Sequence, residues 1–354
     1  MKKNFLITTG GSGGHVIPAT ILYEHLSNHS NLIITTDTRG LKFLTEGTYK
    51  IRIIDTPKLN NFFLLPLNLI KILFLIIKSY FILKKFKIDT VISTGGYMSL
   101  PIIIAAKFYK LEIFLVEPNL VLGRANRFFL KSCKKILCYT DQLKNFPENF
   151  KKKIFIINPL VKKKIYSLDL DTKTEKKFVI LVVGGSQGAS IFDNNLKEII
   201  VNISKNFPIK IIQQTHKNNI QNLKNFYERS NIESEIFSFE KNFFNIIQKA
   251  NLCITRSGAS TLAELSVLQV PFVAVPLPTS KDNHQFENAE HYRTRNCCWV
   301  INQNNFENKI GDLLTHILKK KNDYFEKKEN LKRLNYQNTW INVNQKIIGI
   351  LNEN

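Results

Sequence analysis

Apolar residues along the chain come in short unbroken runs, each closed by a small or polar turn. Asn4 to Thr9, Leu32 to Thr36 and the segments 51–55, 89–93, 112–116, 135–138 and 154–157 all read this way. Runs so short and continuous predict strands buried on both faces, as in a parallel sheet. Helical spacing fills the gaps, for example from about Val16 to Leu26, so the first half predicts a series of βα units. Residues 162–177 are charged and weakly patterned, which predicts an interdomain linker. The pattern then restarts. A strand is predicted at 178–183, a helix from about Ile191, and strands near 209–213, 235–238, 252–254, 272–275 and 298–301. From Asp323 the tail is helical in pattern. The fold class is therefore α/β, with two Rossmann-like halves and a parallel sheet in each.

The turns between these elements carry the candidate chemistry. Gly10-Gly11-Ser12-Gly13-Gly14-His15, Thr94-Gly95-Gly96-Tyr97 and Glu117-Pro118-Asn119 each follow a predicted strand of the first half. Gly184-Gly185-Ser186-Gln187-Gly188-Ala189 opens the second half in the same way. Ligands of open α/β sheets bind beyond the carboxyl ends of strands, where helix amino-termini offer free N–H groups. Two such halves place two crevices face to face, one for each of two substrates. The stretch 251–291 is the most informative. A strand, Leu252-Cys253-Ile254, leads into the turn Arg256-Ser257-Gly258-Ala259-Ser260-Thr261, then into a helix with Leu262, Leu265 and Leu268 on one face. The turn has no bulky apolar side chain, so a phosphate could approach its backbone. Glu264, one turn into the helix, suits a ribose diol, and Gln285 can reach the same crevice.

Two other motifs are weighed and set aside. The opening glycine loop resembles a dinucleotide fingerprint with Asp37 as its ribose acid, but Val16 stands where the third glycine belongs. Asp169-Leu170-Asp171 has a metal-binding spacing. It lies in the linker without other ligands, and a solvated loop is the expectation. No metal and no cofactor is predicted.

The length, 354 residues, suits two domains, and an apolar content of 44% makes them globular. The formal net charge of +22 reflects either a compositional bias towards lysine or an anionic partner. Specific nucleic-acid binding is not expected, because no helix-turn-helix, zinc-finger or RNP-type aromatic motif occurs. The five cysteines are odd in number and form no CxxC pair, which predicts reduced thiols. The amino-terminal apolar run is too short for a signal peptide. The stretch 62–83 is long enough to span a bilayer, but Pro66, Asn68, Lys71 and Lys78 interrupt it. Three readings stand for it: a helix lying in the membrane interface, a buried core helix, and a true span.

Taken together, GGSGGHVIPA (10–19), TGGY (94–97), EPNLVLGRAN (117–126), GGSQGA (184–189), TRSGASTLAE (255–264) and KDNHQFENA (281–289) resemble the MurG family. These are N-acetylglucosaminyltransferases of peptidoglycan synthesis at the cytoplasmic face of the inner membrane. The resemblance implies a GT-B architecture, with two Rossmann-like domains whose parallel sheets face across a cleft. It divides the chain into residues 1–162 plus 338–354, for the lipid I acceptor and membrane docking, and residues 163–337, for UDP-GlcNAc. It implies inverting transfer of GlcNAc from UDP-GlcNAc to the 4-hydroxyl of MurNAc in lipid I, giving lipid II, at an anionic membrane surface.

By the same resemblance, Ser12, Gly13, Gly14, Asn119, Lys162, Ser186, Glu240, Arg256, Ala259, Ser260, Thr261, Leu262, Ala263, Glu264 and Gln285 are expected at the donor. Glu240 falls at a position the family uses for a backbone contact to uracil. Tyr97 and Asn126 are expected on the acceptor side. His15 and Glu117 are rival candidates for the general base. Three departures stand out: Val116 replaces a family histidine, Asn158-Pro159-Leu160-Val161-Lys162 carries one extra residue with lysine for arginine, and Asp193 replaces an asparagine. The competing reading is another GT-B enzyme that uses a UDP-sugar, a glycolipid synthase or a UDP-GlcNAc 2-epimerase.

Overall fold

The computed structural model describes residues 2–45, 47–57, 64–168, 177–185, 190–240 and 242–353. The chain divides into two compact units. One comprises Met1–Lys163 with Thr339–Asn354, the other Lys164–Asn338.

The first unit contains β1 (Lys3–Thr8), α1 (Gly13–Leu26), β2 (Ser30–Thr36), β3 (Ile51–Ile53), α2 (Leu65–Lys85), β4 (Thr90–Ser93), α3 (Leu100–Phe108), β5 (Glu112–Glu117), α4 (Arg124–Phe129), β6 (Lys135–Cys138) and β7 (Ile154–Ile156). Its strands pair in parallel in the order β3-β2-β1-β4-β5-β6-β7 among the described residues. All four residues of β4 are buried, because helices cover both faces of the sheet. The strand order reverses between β1 and β4. Chain leaving those two strands turns to opposite faces and opens a crevice at their carboxyl ends. The strand expected over 51–55 stops at Ile53, an edge residue 41% exposed.

The second unit contains β8 (Phe178–Val183), α5 (Ser190–Asn195), α6 (Lys197–Ser204), β9 (Ile209–Gln214), α7 (Ile220–Arg229), β10 (Glu233–Phe237), α8 (Phe243–Lys249), β11 (Leu252–Thr255), α9 (Ala259–Val267), β12 (Phe272–Ala274), α10 (His284–Arg293), β13 (Cys298–Val300), α11 (Phe306–Lys319) and α12 (Lys321–Leu334). The order β10-β9-β8-β11-β12-β13 is again parallel, and its switch point lies between β8 and β11.

The helical tail is two helices, α12 and α13 (Trp340–Asn352), and α13 belongs to the first unit. Its Val343, Ile347, Ile350 and Leu351 share a core with Val16, Ala19, Leu22 and Leu26 of α1. Trp340 stacks on His25 with ring centroids 3.6 Å apart, and Asn344 Nδ2 donates to the His25 carbonyl at 2.8 Å. Lys135 Nζ donates to the Ile350 carbonyl at 3.1 Å, a cation at the carboxyl end of a helix.

Helix α2 has two apolar faces. Ile72, Leu75, Ser79, Ile82 and Leu83 are buried. Leu67, Ile70, Leu73, Phe74 and Phe81 stay more than half exposed. The helix is long and apolar enough to cross a membrane, yet it packs one side on α3. All five cysteines are free and buried, and burial pushes the thiols of Cys133 and Cys297 up to about 11.

Candidate active site

In the first unit, the turn after β1 feeds α1. Ser12 stands at the N-cap without a side-chain hydrogen bond to the helix. The amides of His15 and Val16 bond back to the Ser12 carbonyl at 3.0 and 3.1 Å, while those of Gly13 and Gly14 take no part in these bonds. Free amides and the helix dipole favour an anion here. His15 faces the turn after β4. Its Nδ1 is 2.8 Å from the Thr94 carbonyl oxygen, which can only accept, so Nδ1 carries the proton. In the neutral ring Nε2 is then left as an acceptor. Gly95 and Gly96 have φ of +89° and +82°, and a Cβ on either would come within 3.3 Å of the imidazole. The glycines thus give the turn its left-handed backbone and leave room for the ring.

Glu117 ends β5, 2% exposed. Its Oε1 accepts from the backbone N and the Nδ2 of Asn119, both at 3.2 Å. Its Oε2 accepts from Gly123 N at 2.8 Å and Asn126 Nδ2 at 2.9 Å. Four donors on one carboxylate leave its oxygens engaged. Asn126 also donates to the Val116 carbonyl, and its buried Oδ1 has no partner among the described residues.

In the second unit, α9 starts after Gly258 without a side-chain cap. The amide of Leu262 bonds to the Gly258 carbonyl at 3.0 Å. Ala259, Ser260 and Thr261 form the first turn and are half-buried, whereas Leu262, Ala263 and Glu264 are buried. Gln285, at the start of α10, joins two loops. Its Oε1 accepts from Ser257 N at 3.2 Å and Leu277 N at 3.0 Å, and its amide NH2 takes part in neither bond. Asn288, one turn later, donates to the Ser257 carbonyl at 3.1 Å.

Arg256 is braced rather than open. Nη1 donates to the Val275 carbonyl at 3.1 Å and Nη2 to Gln303 Oε1 at 2.6 Å. Burial lowers its pKa from the ordinary arginine value. Glu240 follows β10, half-buried, and accepts from Asn242 N at 2.7 Å. Lys162 is half-buried and lies in the first unit, next to the crossing into the second. Asp193 is buried and accepts from Gln213, Thr215 and Asn219, a side-chain network within the second unit. Ser186 lies outside the described residues, as do Asp169 and Asp171.

Two residues of the first crevice have roles that the sequence reading missed. Asp37 Oδ1 accepts from Gly11 N at 2.8 Å and Gly40 N at 3.1 Å, and Oδ2 accepts from Arg39 Nε at 2.7 Å. Arg39 Nη2 donates to the Tyr97 hydroxyl at 2.7 Å. The dinucleotide fingerprint needs Asp37 for a ribose, but here the carboxylate holds the loops together. Its place at the end of a buried strand, two residues before an arginine, was the available signal.

The profile of the glycosyltransferase family 28 N-terminal domain matches residues 5–138, and that of the family 28 C-terminal domain matches residues 179–339. The starts of α1 and α9 and the two switch points thus fall in the two domains of a nucleotide-sugar glycosyltransferase. A UDP-N-acetylglucosamine--N-acetylmuramyl-(pentapeptide) pyrophosphoryl-undecaprenol N-acetylglucosamine transferase of Pelagibacter ubique (strain HTCC1062) is 48% identical over 100% of both chains. One from Rickettsia felis is 31% identical, covering 89% of this chain and 91% of its own. The chain belongs to this transferase family. A crystal structure of MurG from Acinetobacter baumannii is similar with a TM-score of 0.78 at 21% identity, covering 99% of each chain. A UDP-GlcNAc 2-epimerase from Neisseria meningitidis bound to UDP-GlcNAc has a TM-score of 0.68 at 13% identity, covering 99% of this chain and 100% of that one, a likeness of fold.

Proposed function

We propose that the enzyme moves GlcNAc from UDP-GlcNAc to the 4-hydroxyl of MurNAc in lipid I, with inversion, to form lipid II. The observation that carries this reading is a helix fed by a glycine turn from a switch-point strand in each domain, α1 after β1 and α9 after β11. The second unit takes the donor. Amides at the start of α9 suit a diphosphate, Glu264 the ribose, and the amide NH2 of Gln285 the sugar. The first unit takes the acceptor, beside His15, Tyr97 and Asn126.

His15 Nε2 is the general base in this reading. It takes the proton of the acceptor hydroxyl as that oxygen bonds to the anomeric carbon. The bond from that carbon to UDP breaks, and the leaving diphosphate keeps the electron pair. Glu117, whose oxygens already serve four donors, holds the EPN turn and Asn126 in place.

The enzyme works at the cytoplasmic face of the inner membrane, held there peripherally by α2. Leu67, Ile70, Phe74 and Phe81 present an apolar face, and Lys71, Lys78, Lys84 and Lys85 are exposed on the same helix. Apolar residues at the acyl boundary with lysines at anionic headgroups fit an interfacial helix. The buried side of α2 argues against a span surrounded by lipid. The test of substrate class is UDP release from UDP-GlcNAc with lipid I, with diacylglycerol or with no acceptor. Release that needs lipid I supports the reading. Release with diacylglycerol, or conversion to UDP-ManNAc without any acceptor, refutes it.

A further inference from the structure

Arg39 sits at the mouth of the first glycine loop in an arrangement that surface packing alone does not call for. Its Nε is paired with Asp37, and its Nη2 donates to the Tyr97 hydroxyl and lies 3.6 Å from Met98 Sδ. The same Nη2 is 3.7 Å from where a Cβ on Gly11 would lie. Despite these bonds the side chain is 44% exposed, and Nη1 takes part in none of them. Asp37, 2% exposed, is itself fixed by the amides of Gly11 and Gly40. A Cβ on Gly10 would come within 2.8 Å of Asp37 Oδ1 and 2.9 Å of Met98 Cγ, so three turns close tightly on this carboxylate.

The consequence is a cation with a fixed direction. An exposed arginine ordinarily moves among many rotamers, and fixing it costs side-chain entropy that a surface ion pair hardly offsets. Here a buried carboxylate and a phenol hold two of its three nitrogens. The third takes part in none of these bonds, and the guanidinium stands beside Gly11, in the turn that leads into α1. An exposed guanidinium donor beside the glycine turn of a helix start suits a doubly charged phosphate group.

We propose that Arg39 binds the diphosphate of the acceptor, and that Asp37 is the positioning residue that aims it and, through it, the Tyr97 hydroxyl. This rests on the assignment of the acceptor to the first unit. It adds to that assignment the group that recognises the acceptor's charge.

The test uses the full-length enzyme with Arg39→Ala, Arg39→Lys and Asp37→Asn. Asp37→Asn keeps an oxygen for the Gly11 and Gly40 amides but presents NH2 to Arg39, so it separates loop holding from arginine aiming. KM is measured for lipid I and for UDP-GlcNAc, and binding of inorganic pyrophosphate is measured in saturating UDP. Arg39→Ala is expected to raise the lipid I KM and the pyrophosphate Kd at least tenfold, with the UDP-GlcNAc KM within twofold. Arg39→Lys should recover part of both losses. Asp37→Asn should shift the same two constants by at least threefold, and the double variant should be no worse than Arg39→Ala.

Equal losses for both substrates, or an unchanged lipid I KM, would overturn the proposal. If Arg39→Ala fails to fold, Arg39→Lys decides, because a lysine with wild-type constants would show that no aimed fork is needed. Pyrophosphate binding needs no turnover. A wild-type enzyme that binds it through Arg39 yet does not glycosylate lipid I would refute the assigned reaction and leave the anion site standing.

Discussion

His15 Nδ1 donates to the carbonyl oxygen of Thr94 at 2.8 Å, which fixes the ring with Nε2 as its open nitrogen. A base needs a lone pair in a set direction, and this bond supplies the direction. His15→Ala is therefore expected to lower kcat by roughly 10²–10⁴-fold, the usual contribution of a general base. UDP affinity, measured by calorimetry, should stay within twofold. Loss of UDP binding in parallel with kcat would make the histidine a donor ligand instead.

Glu117 gives the complementary expectation. Glu117→Gln keeps one acceptor oxygen but turns an NH2 towards two of the four donors. The variant should lose about 1–3 kcal/mol of stability, the cost of leaving buried groups unpaired. Its rate should fall less than that of His15→Ala. A fall in Glu117→Gln as large as in His15→Ala, with the variant still folded, would make the carboxylate the base.

Helix α2 predicts a separation of membrane binding from chemistry. Leu73 and Phe74 are 59% and 64% exposed, so charging them leaves the core face of the helix intact. Leu73→Glu with Phe74→Glu should weaken flotation with anionic vesicles at least tenfold and leave UDP affinity unchanged. Binding equal to wild type would remove α2 from the membrane contact.

His25 is buried against Trp340, and burial lowers its pKa to about 3. The unfolded chain binds this proton near pH 6.5, the folded chain only near 3. The neutral ring's contribution is therefore complete above about pH 6.5 and is lost as the pH falls from there towards 3. The slope is at most about 1.4 kcal/mol per pH unit. His25→Phe keeps an aromatic stack and removes the titration. Chemical denaturation at pH 7 and pH 4.5 should show wild type losing about 2–3 kcal/mol more than the variant. Equal losses would mean that His25 is protonated in the folded protein.

The sheets were the most legible part of the chain. Val91-Ile92 and Ile180-Leu181-Val182 are continuous apolar runs, and only a strand covered on both faces needs them. The glycine turns were legible too, because a strand, a glycine run and a helix follow one another in sequence. Contacts between distant segments were not. Asp37 meets Gly11 across 26 positions, and Arg39 meets Tyr97 across 58. No local period encodes such meetings. Gln285 was legible as a residue of the second crevice, but its bridge between Ser257 and Leu277 depends on how β11 and β12 lie side by side. The stretch 62–83 fitted three readings because hydropathy counts apolar residues without regard to face. The packing of Ile72, Leu75, Ile82 and Leu83 separates a core side from an exposed side.

Transfer of one amino sugar to a lipid-linked MurNAc with inversion is read directly by mass spectrometry of the lipid product, with NMR of its new glycosidic bond. The expected product is lipid I heavier by one GlcNAc, joined through a β linkage to the 4-hydroxyl and formed only when UDP-GlcNAc is present. An unmodified lipid I, or a product with an α linkage, would contradict that reaction.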